Sequence, residues 1–180
     1  MERQEIIGTT VVAVRRDGRT AMAGDGQVTM GDTVLKGGAR KVRRIGDGRV
    51  LVGFAGSVAD ACNLTEVFER KLVECKGVVR DACITFATLW RTDRVLRHLE
   101  ALMIVADTAD LFLLAGDGNV VEPDDAILAI GSGANYARAA AMALVAHTQL
   151  QAREVAEESL KIAAAICIYT NDRIVVEELP

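Results

Sequence analysis

Histidine is nearly missing from this chain, and cysteine has no metal-binding pattern. Two histidines and four cysteines (Cys62, Cys75, Cys83 and Cys167) show no C-x-x-C spacing, which argues against a structural zinc site. Four unpatterned thiols without an export signal fit a reducing, cytoplasmic setting. Long apolar runs are also absent. None approaches the ~20 residues that a membrane span needs, and the leader Met1–Gly8 lacks the apolar stretch of a secretory signal. Neither G-x-x-x-x-G-K-[ST] nor G-x-G-x-x-G occurs, so the glycine loops carry no phosphate-binding fingerprint. Aromatic residues make up only 4% of the chain, which implies a core of small aliphatic side chains in closely stacked layers. The net charge of −4 speaks against a nucleic-acid surface, despite the local basic run Arg40-Lys41-Val-Arg43-Arg44.

What is present is a globular composition. The 180 residues are 51% apolar and 26% charged, enough for one domain with a substantial core. No repeat, low-complexity segment or linker interrupts it. Strands are predicted at Thr9–Arg15 and Thr20–Ala23 around the turn pair Asp17-Gly18, and at Lys41–Ile45 and Arg49–Phe54 around Asp47-Gly48. Between them, Gly24–Gly38 reads as a set of turns or as a loop shaped around a site. Apolar spacing predicts helices at Asp60–Cys75 and Val78–Leu99. Strands follow at Leu102–Ala106, Leu111–Ala115 and Ala126–Ile130. Helices at Asn135–His147 and Ala152–Ile166 then precede a last strand at Arg173–Glu177. Strands joined by hairpins, with helices in pairs, predict an α+β fold of two facing sheets, each covered by a helix pair.

The chemistry-bearing residues begin with Thr9, at the start of the first strand. If the Gly8–Thr9 bond is cut, one residue carries both a hydroxyl nucleophile and a free amine. The hydroxyl needs a base beside it, and an α-amine, with a pKa of about 7.7–8.0, is one. Thr-Thr-Val-Val is equally an ordinary strand start. Asp25, in Gly24-Asp-Gly-Gln27, is either a turn residue or a carboxylate held at a strand end beside Thr9. Lys41 is either part of a solvated basic edge or, facing opposite to Arg40 by strand alternation, an inward lysine paired with Asp25. At the strand-to-helix junction Gly53-Phe-Ala-Gly56-Ser57, backbone N–H groups can receive an oxyanion, while Ser57 reads as a helix cap. Ser132, in Ile130-Gly-Ser-Gly133, is either an N-cap or a polar partner for a Thr9 amine.

In combination these segments resemble the HslV (ClpQ) family, the peptidase subunits of bacterial HslUV proteases and relatives of proteasome β-subunits. The resemblance is carried by Thr9-Thr-Val-Val-Ala-Val-Arg-Arg, Ala23-Gly-Asp-Gly-Gln27, Lys41-Val-Arg-Arg and Gly53-Phe-Ala-Gly-Ser-Val-Ala-Asp60. It continues through Trp90-Arg-Thr-Asp-Arg-Val-Leu-Arg-His-Leu-Glu-Ala-Leu102, Ala129-Ile-Gly-Ser-Gly133 and Ile166-Cys-Ile-Tyr-Thr-Asn171. It implies a four-layer αββα sandwich of the N-terminal-nucleophile hydrolase type, with Met1–Gly8 removed on maturation and residues 9–180 as the peptidase domain. Thr9 would be the nucleophile, Asp25 and Lys41 would set the electrostatics, and Ser132 would support the amine. The Gly56 N–H would receive the oxyanion, with Gly53 as the lesser candidate. The resemblance also implies a sodium ion bound by the loop of Ala164, Cys167 and Thr170, where Ala164 replaces a glycine common in the family. Eight residues precede Thr9, whereas many members have little more than Met there. The implied assembly is two stacked six-membered rings capped by hexamers of the AAA+ ATPase HslU, which would spend the ATP and feed in unfolded polypeptides. The competing readings are a non-catalytic scaffold subunit of the same fold, a small-molecule amidase and a nucleotide-binding module.

Overall fold

The computed structural model describes residues 6–99 and 101–180; residues 1–5 of the expected leader, and Glu100, lie outside the described residues. The first part of the chain forms Ile6–Ile7 (β1), Thr10–Arg16 (β2), Arg19–Gly24 (β3), Val28–Met30 (β4), Thr33–Lys36 (β5), Val42–Ile45 (β6) and Val50–Ala55 (β7). The helices Val58–Glu74 (α1) and Val79–Thr92 (α2) follow, then Leu102–Ala106 (β8), Leu111–Ala115 (β9), Val120–Val121 (β10) and Ile127–Gly131 (β11). Ala134–His147 (α3), Ala152–Ala164 (α4) and Val175–Leu179 (β12) complete the chain. One sheet runs β11-β2-β3-β12 and a second β10-β9-β8-β7-β6, while β1-β4-β5 make a small third sheet. Each of these pairings is antiparallel.

The larger two sheets lie face to face between helix pairs, because their central strands have no face left for water. In β2, Val11 and Ala13 join the core between the sheets, and Val12 and Val14 join the core under α3 and α4. Successive side chains of a strand point to opposite faces, so burial on both sides demands the unbroken apolar run Val11–Val14. Strand β7 repeats this pattern: Leu51 and Ala55 pack between the sheets, and Val50, Val52 and Phe54 pack under α1 and α2. Gly53 falls on the sheet-to-sheet side, where a Cβ would sit 2.7 Å from Val11 Cγ1 and 2.8 Å from Met22 Sδ. The close approach of β2 and β3 therefore requires a residue without a side chain.

Five of the seven aromatic residues are gathered in one layer. Phe54, Phe68, Phe86, Trp90 and Phe112 all belong to the core between α1, α2 and the five-stranded sheet, where Phe68 and Phe86 meet edge to face at 5.4 Å. The opposite helix layer is built from Ala137, Ala141, Ala152, Ala156, Ala163 and their aliphatic neighbours, so those helices lie close to their sheet.

Besides shifts of one or two residues at other element ends and the short strands β1 and β10, four features differ from expectation. The Gly24–Gly38 stretch holds the β4–β5 hairpin, which its glycines conceal. The second helix stops at Thr92 instead of continuing to Leu99. Asp93 turns the backbone extended, and its Oδ1 accepts the N–H groups of Val95 at 2.8 Å and Leu96 at 2.9 Å. Trp90 Nε1 then donates to Leu96 O at 3.0 Å, folding the segment back on the helix. Helix α4 ends at Ala164 rather than Ile166, and the last strand lies two residues later than the sequence suggests.

Candidate active site

Two neighbouring strands put the first pair of groups together. Val11 lies opposite Gly24 in the β2–β3 ladder, so Thr10 and Asp25 meet just beyond its end. Asp25 N–H donates to Thr10 O at 3.1 Å, and Thr10 N–H donates to Asp25 Oδ1 at 2.7 Å. Asp25 is completely buried. Its other oxygen, Oδ2, accepts from Gln27 N at 2.9 Å and from Asn171 N at 3.3 Å.

Lys41 comes from the facing sheet, immediately before β6. Its side chain is 7% exposed, whereas Arg40 points to solvent, as strand alternation required. The ammonium has three donors, and all three are used. It donates to Asp25 Oδ1 at 2.7 Å, to Gln27 O at 2.6 Å and to Gly8 O at 2.7 Å. Burial of a charge is tolerated when it is paired and its remaining valences are hydrogen-bonded; both members of this pair meet that condition. Burial lowers the Lys41 pKa below the ordinary 10.5, and the charge and hydrogen bond of Asp25 partly oppose the shift.

Thr9 sits where these groups converge. It is nearly buried, its hydroxyl donates to Gly8 O at 2.8 Å, and its own carbonyl accepts from Ser132 N at 2.8 Å. The oxygen of the bond ahead of Thr9 thus receives both the Lys41 ammonium and the Thr9 hydroxyl. With Gly8 attached, the Thr9 nitrogen is an amide and cannot act as a base.

The neighbouring Gly131 has φ +94°, and a Cβ there would strike the Thr9 carbonyl oxygen and lie 2.7 Å from its carbon. Gly131→Ala is therefore expected to displace Thr9; if Thr9 is the nucleophile, kcat for peptide hydrolysis falls by up to ~10²-fold, which about 1 Å of misplacement can cost. Steady-state peptide hydrolysis checks this against circular dichroism of the same variant.

A cavity of about 350 Å³ opens beside Thr9 and Lys41, with Val28, Phe54, Gly56 and Ala61 in its wall. Gly56 directly precedes Ser57, whose side chain caps α1 by accepting from Asp60 N at 3.3 Å. The Gly56 N–H therefore stands at the N-terminal end of a helix, on the same cavity as Thr9. Gly53 is committed to the β6 and β8 ladders opposite Val42 and Ile104, and packing accounts for its lack of a side chain. A larger cavity, about 1240 Å³ between the Gly46–Arg49 turn and α1, contains none of these residues.

Ser132 lies beside Thr9 through its backbone, and its side chain is exposed. The loop of Ala164, Cys167 and Thr170 follows α4. Thr170 N–H donates to Cys167 O at 3.1 Å, and Thr170 Oγ1 lies 2.7 Å from Thr10 Oγ1. Thr10 Oγ1 also accepts from Gly133 N at 2.9 Å, so this loop leans on β2. Ala164 closes α4 with helical backbone, and alanine in place of glycine brings no strain there. Among the described residues no group of three or more His, Cys, Asp or Glu could hold a metal ion; a cation at this loop would rely on backbone carbonyls, the oxygen donors that suit a hard ion. Sequence alone does not distinguish Thr10, Gln27 and Asn171 as site residues, although all three lie within the segments that carry the resemblance.

Two antiparallel sheets between helix pairs, with a threonine heading a central strand over a buried lysine–aspartate pair, make the fold of the N-terminal-nucleophile hydrolases. Comparison with known proteins agrees. The proteasome subunit family profile matches residues 7–179. An ATP-dependent protease subunit HslV from Pseudothermotoga lettingae is 59% identical over 171 residues, covering 95% of this chain and 97% of that one. The subunit of the same name from Treponema denticola is 55% identical over 176 residues, or 98% and 99% of the two chains. Among solved structures, eukaryotic HslV from Trypanosoma brucei superposes with a TM-score of 0.90 at 42% identity, covering 94% of this chain and 98% of that one. The chain belongs to the proteasome subunit family, in its HslV branch.

Proposed function

We propose that this protein is the proteolytic core subunit of an HslUV-type ATP-dependent protease, a threonine endopeptidase that acts on unfolded polypeptides. The observation that carries this reading is the Lys41 ammonium, shared between Asp25, Gln27 O and the carbonyl directly ahead of Thr9. In the mature form the Thr9 amine takes the hydroxyl proton, directly or through one water, as Oγ1 attacks the scissile carbonyl. The Gly56 N–H receives the developing oxyanion. The amine then protonates the departing amino group, and water hydrolyses the ester on Thr9. Asp25 fixes the Lys41 ammonium near the hydroxyl, and that positive charge favours loss of the hydroxyl proton.

Maturation uses the same groups. Thr9 Oγ1 forms a bond to the Gly8 carbonyl carbon, the Gly8–Thr9 C–N bond breaks, and the hydroxyl proton goes to the Thr9 nitrogen. Water then cleaves the resulting ester and releases Met1–Gly8. Family membership supports the remaining parts of the reading: two stacked rings of six, HslU hexamers that consume the ATP, a cytoplasmic location and sodium held by carbonyls of the Ala164–Thr170 loop. Backbone carbonyls of Ala164, Cys167 and Thr170 would hold the sodium, and its charge would stiffen the loop whose Thr170 meets Thr10. No helix among the described residues is long and apolar enough to cross a membrane.

N-terminal sequencing and peptide hydrolysis with and without HslU test the proposal. Thr9 as the first residue of an active protein is the expected result. Retention of residues 1–8 without activity would favour the scaffold reading. The charge on Lys41 gives a second check. Its pKa lies below 10.5, so the ammonium is lost at lower pH than an ordinary lysine's, and the alkaline fall of kcat is expected below pH 10.5.

A further inference from the structure

Lys41 and Asp25 come from different sheets, yet their tips stay within 2.7 Å. Something must hold the loop ahead of Lys41 against the turn that follows Asp25. A backbone bond from Ala39 N to Gly26 O, at 2.9 Å, is one tie. Gly26 itself lies so close to Gly37 that a Cβ would meet Gly37 O at 2.5 Å. The second tie is a side chain from a third segment. Asn171 Oδ1 accepts from Gly26 N at 3.0 Å, and Asn171 Nδ2 donates to Gly37 O at 3.0 Å. The Asn171 backbone N–H also donates to Asp25 Oδ2 at 3.3 Å.

We propose that Asn171 is a positioning residue for this peptidase: its carboxamide clamps the Asp25–Gly26 turn to the Gly37 loop and so fixes Lys41 relative to Thr9. The inference rests on the threonine-peptidase reading above. The carboxamide suits the task because it offers an acceptor and a donor on one rigid plane, and the two loops present one N–H and one C=O to it. Aspartate keeps the acceptor but turns a second oxygen toward Gly37 O. Alanine removes both bonds. Because Asn171 touches neither Thr9 nor the cavity beside it, its loss acts on the alignment of Lys41 and leaves substrate contacts in place.

The test compares kcat and KM for a fluorogenic peptide, with HslU present, in the parent, Asn171→Ala, Asn171→Asp and Thr9→Ala proteins. Asn171→Ala is expected to lower kcat roughly tenfold or more, within the ~10²-fold that a misplacement of about 1 Å costs, with KM changed less than twofold. Asn171→Asp, isosteric and able to keep the Gly26 bond, is expected to recover part of that kcat. A parent-like kcat in Asn171→Ala would overturn the proposal, as would a loss expressed in KM alone. If Asn171→Ala fails to fold, Asn171→Asp decides: parent-like kcat refutes the clamp, and reduced kcat at unchanged KM supports it. An inactive parent, or an active Thr9→Ala protein, would instead overturn the peptidase reading beneath it.

Discussion

A Thr9→Ala protein is expected to hydrolyse no peptide, a fall of at least ~10⁴-fold in kcat, while folding and assembling like its parent. The scale follows from removing the nucleophile itself, after which only binding and oxyanion stabilisation remain. The structural cost is small because the Thr9 hydroxyl bonds the leader carbonyl, whereas anchoring falls to its neighbour. Thr10 supplies the hydroxyl that joins Gly133 and Thr170. Thr9→Ala should also keep residues 1–8, since the same oxygen opens the Gly8–Thr9 bond. Intact-mass measurement reads that outcome, and a trimmed Thr9→Ala protein would assign leader removal to another protease. Turnover by Thr9→Ala would end the assignment of the nucleophile.

The second large effect is expected at Lys41. Lys41→Ala removes the ammonium from Asp25, Gln27 O and Gly8 O together, and a loss of roughly 10²–10³ in kcat is the scale for deleting one such electrostatic contact. Breaking a buried ion pair costs about 3–5 kcal/mol when the remaining charge is left uncompensated. Asp25 is not left so. It retains the N–H groups of Thr10, Gln27 and Asn171, which places the stability loss near the lower end, about 3 kcal/mol. Chemical denaturation and peptide hydrolysis on the same samples separate the two effects. A variant that is unfolded at 25 °C would make Lys41 chiefly structural.

The two sheets and four helices were legible because burial on both faces writes long apolar runs, as in Val11–Val14 and Val50–Val52. The facing of Lys41 was legible for a related reason: alternation makes it opposite to Arg40. The β4–β5 hairpin was not, since its strands are short, partly exposed and set among glycines that read as turns. The overlong second helix has a similar cause. Val95 and Leu96 continue an apolar spacing that Asp93 ends through a side-chain bond, and spacing does not register such bonds. Gly53 stands in the junction motif only as the lesser oxyanion candidate that the resemblance implies, and the need for a glycine there lies in Val11 and Met22 of another sheet. Asn171 was hidden for the same kind of reason. Its partners, Gly26 and Gly37, are more than a hundred positions away and present only backbone atoms.

The contact between Lys41 and the Gly8 carbonyl bears on quality control during synthesis. If the Gly8–Thr9 bond opens as proposed, a copy whose sheets dock in the wrong register would have no ammonium at that oxygen, and the peptide ahead of Thr9 would stay closed. Only a correctly docked copy brings together the parts that arm it. Under the maturation proposed above, self-trimming would then act as a proofreading step that leaves a misfolded subunit unarmed.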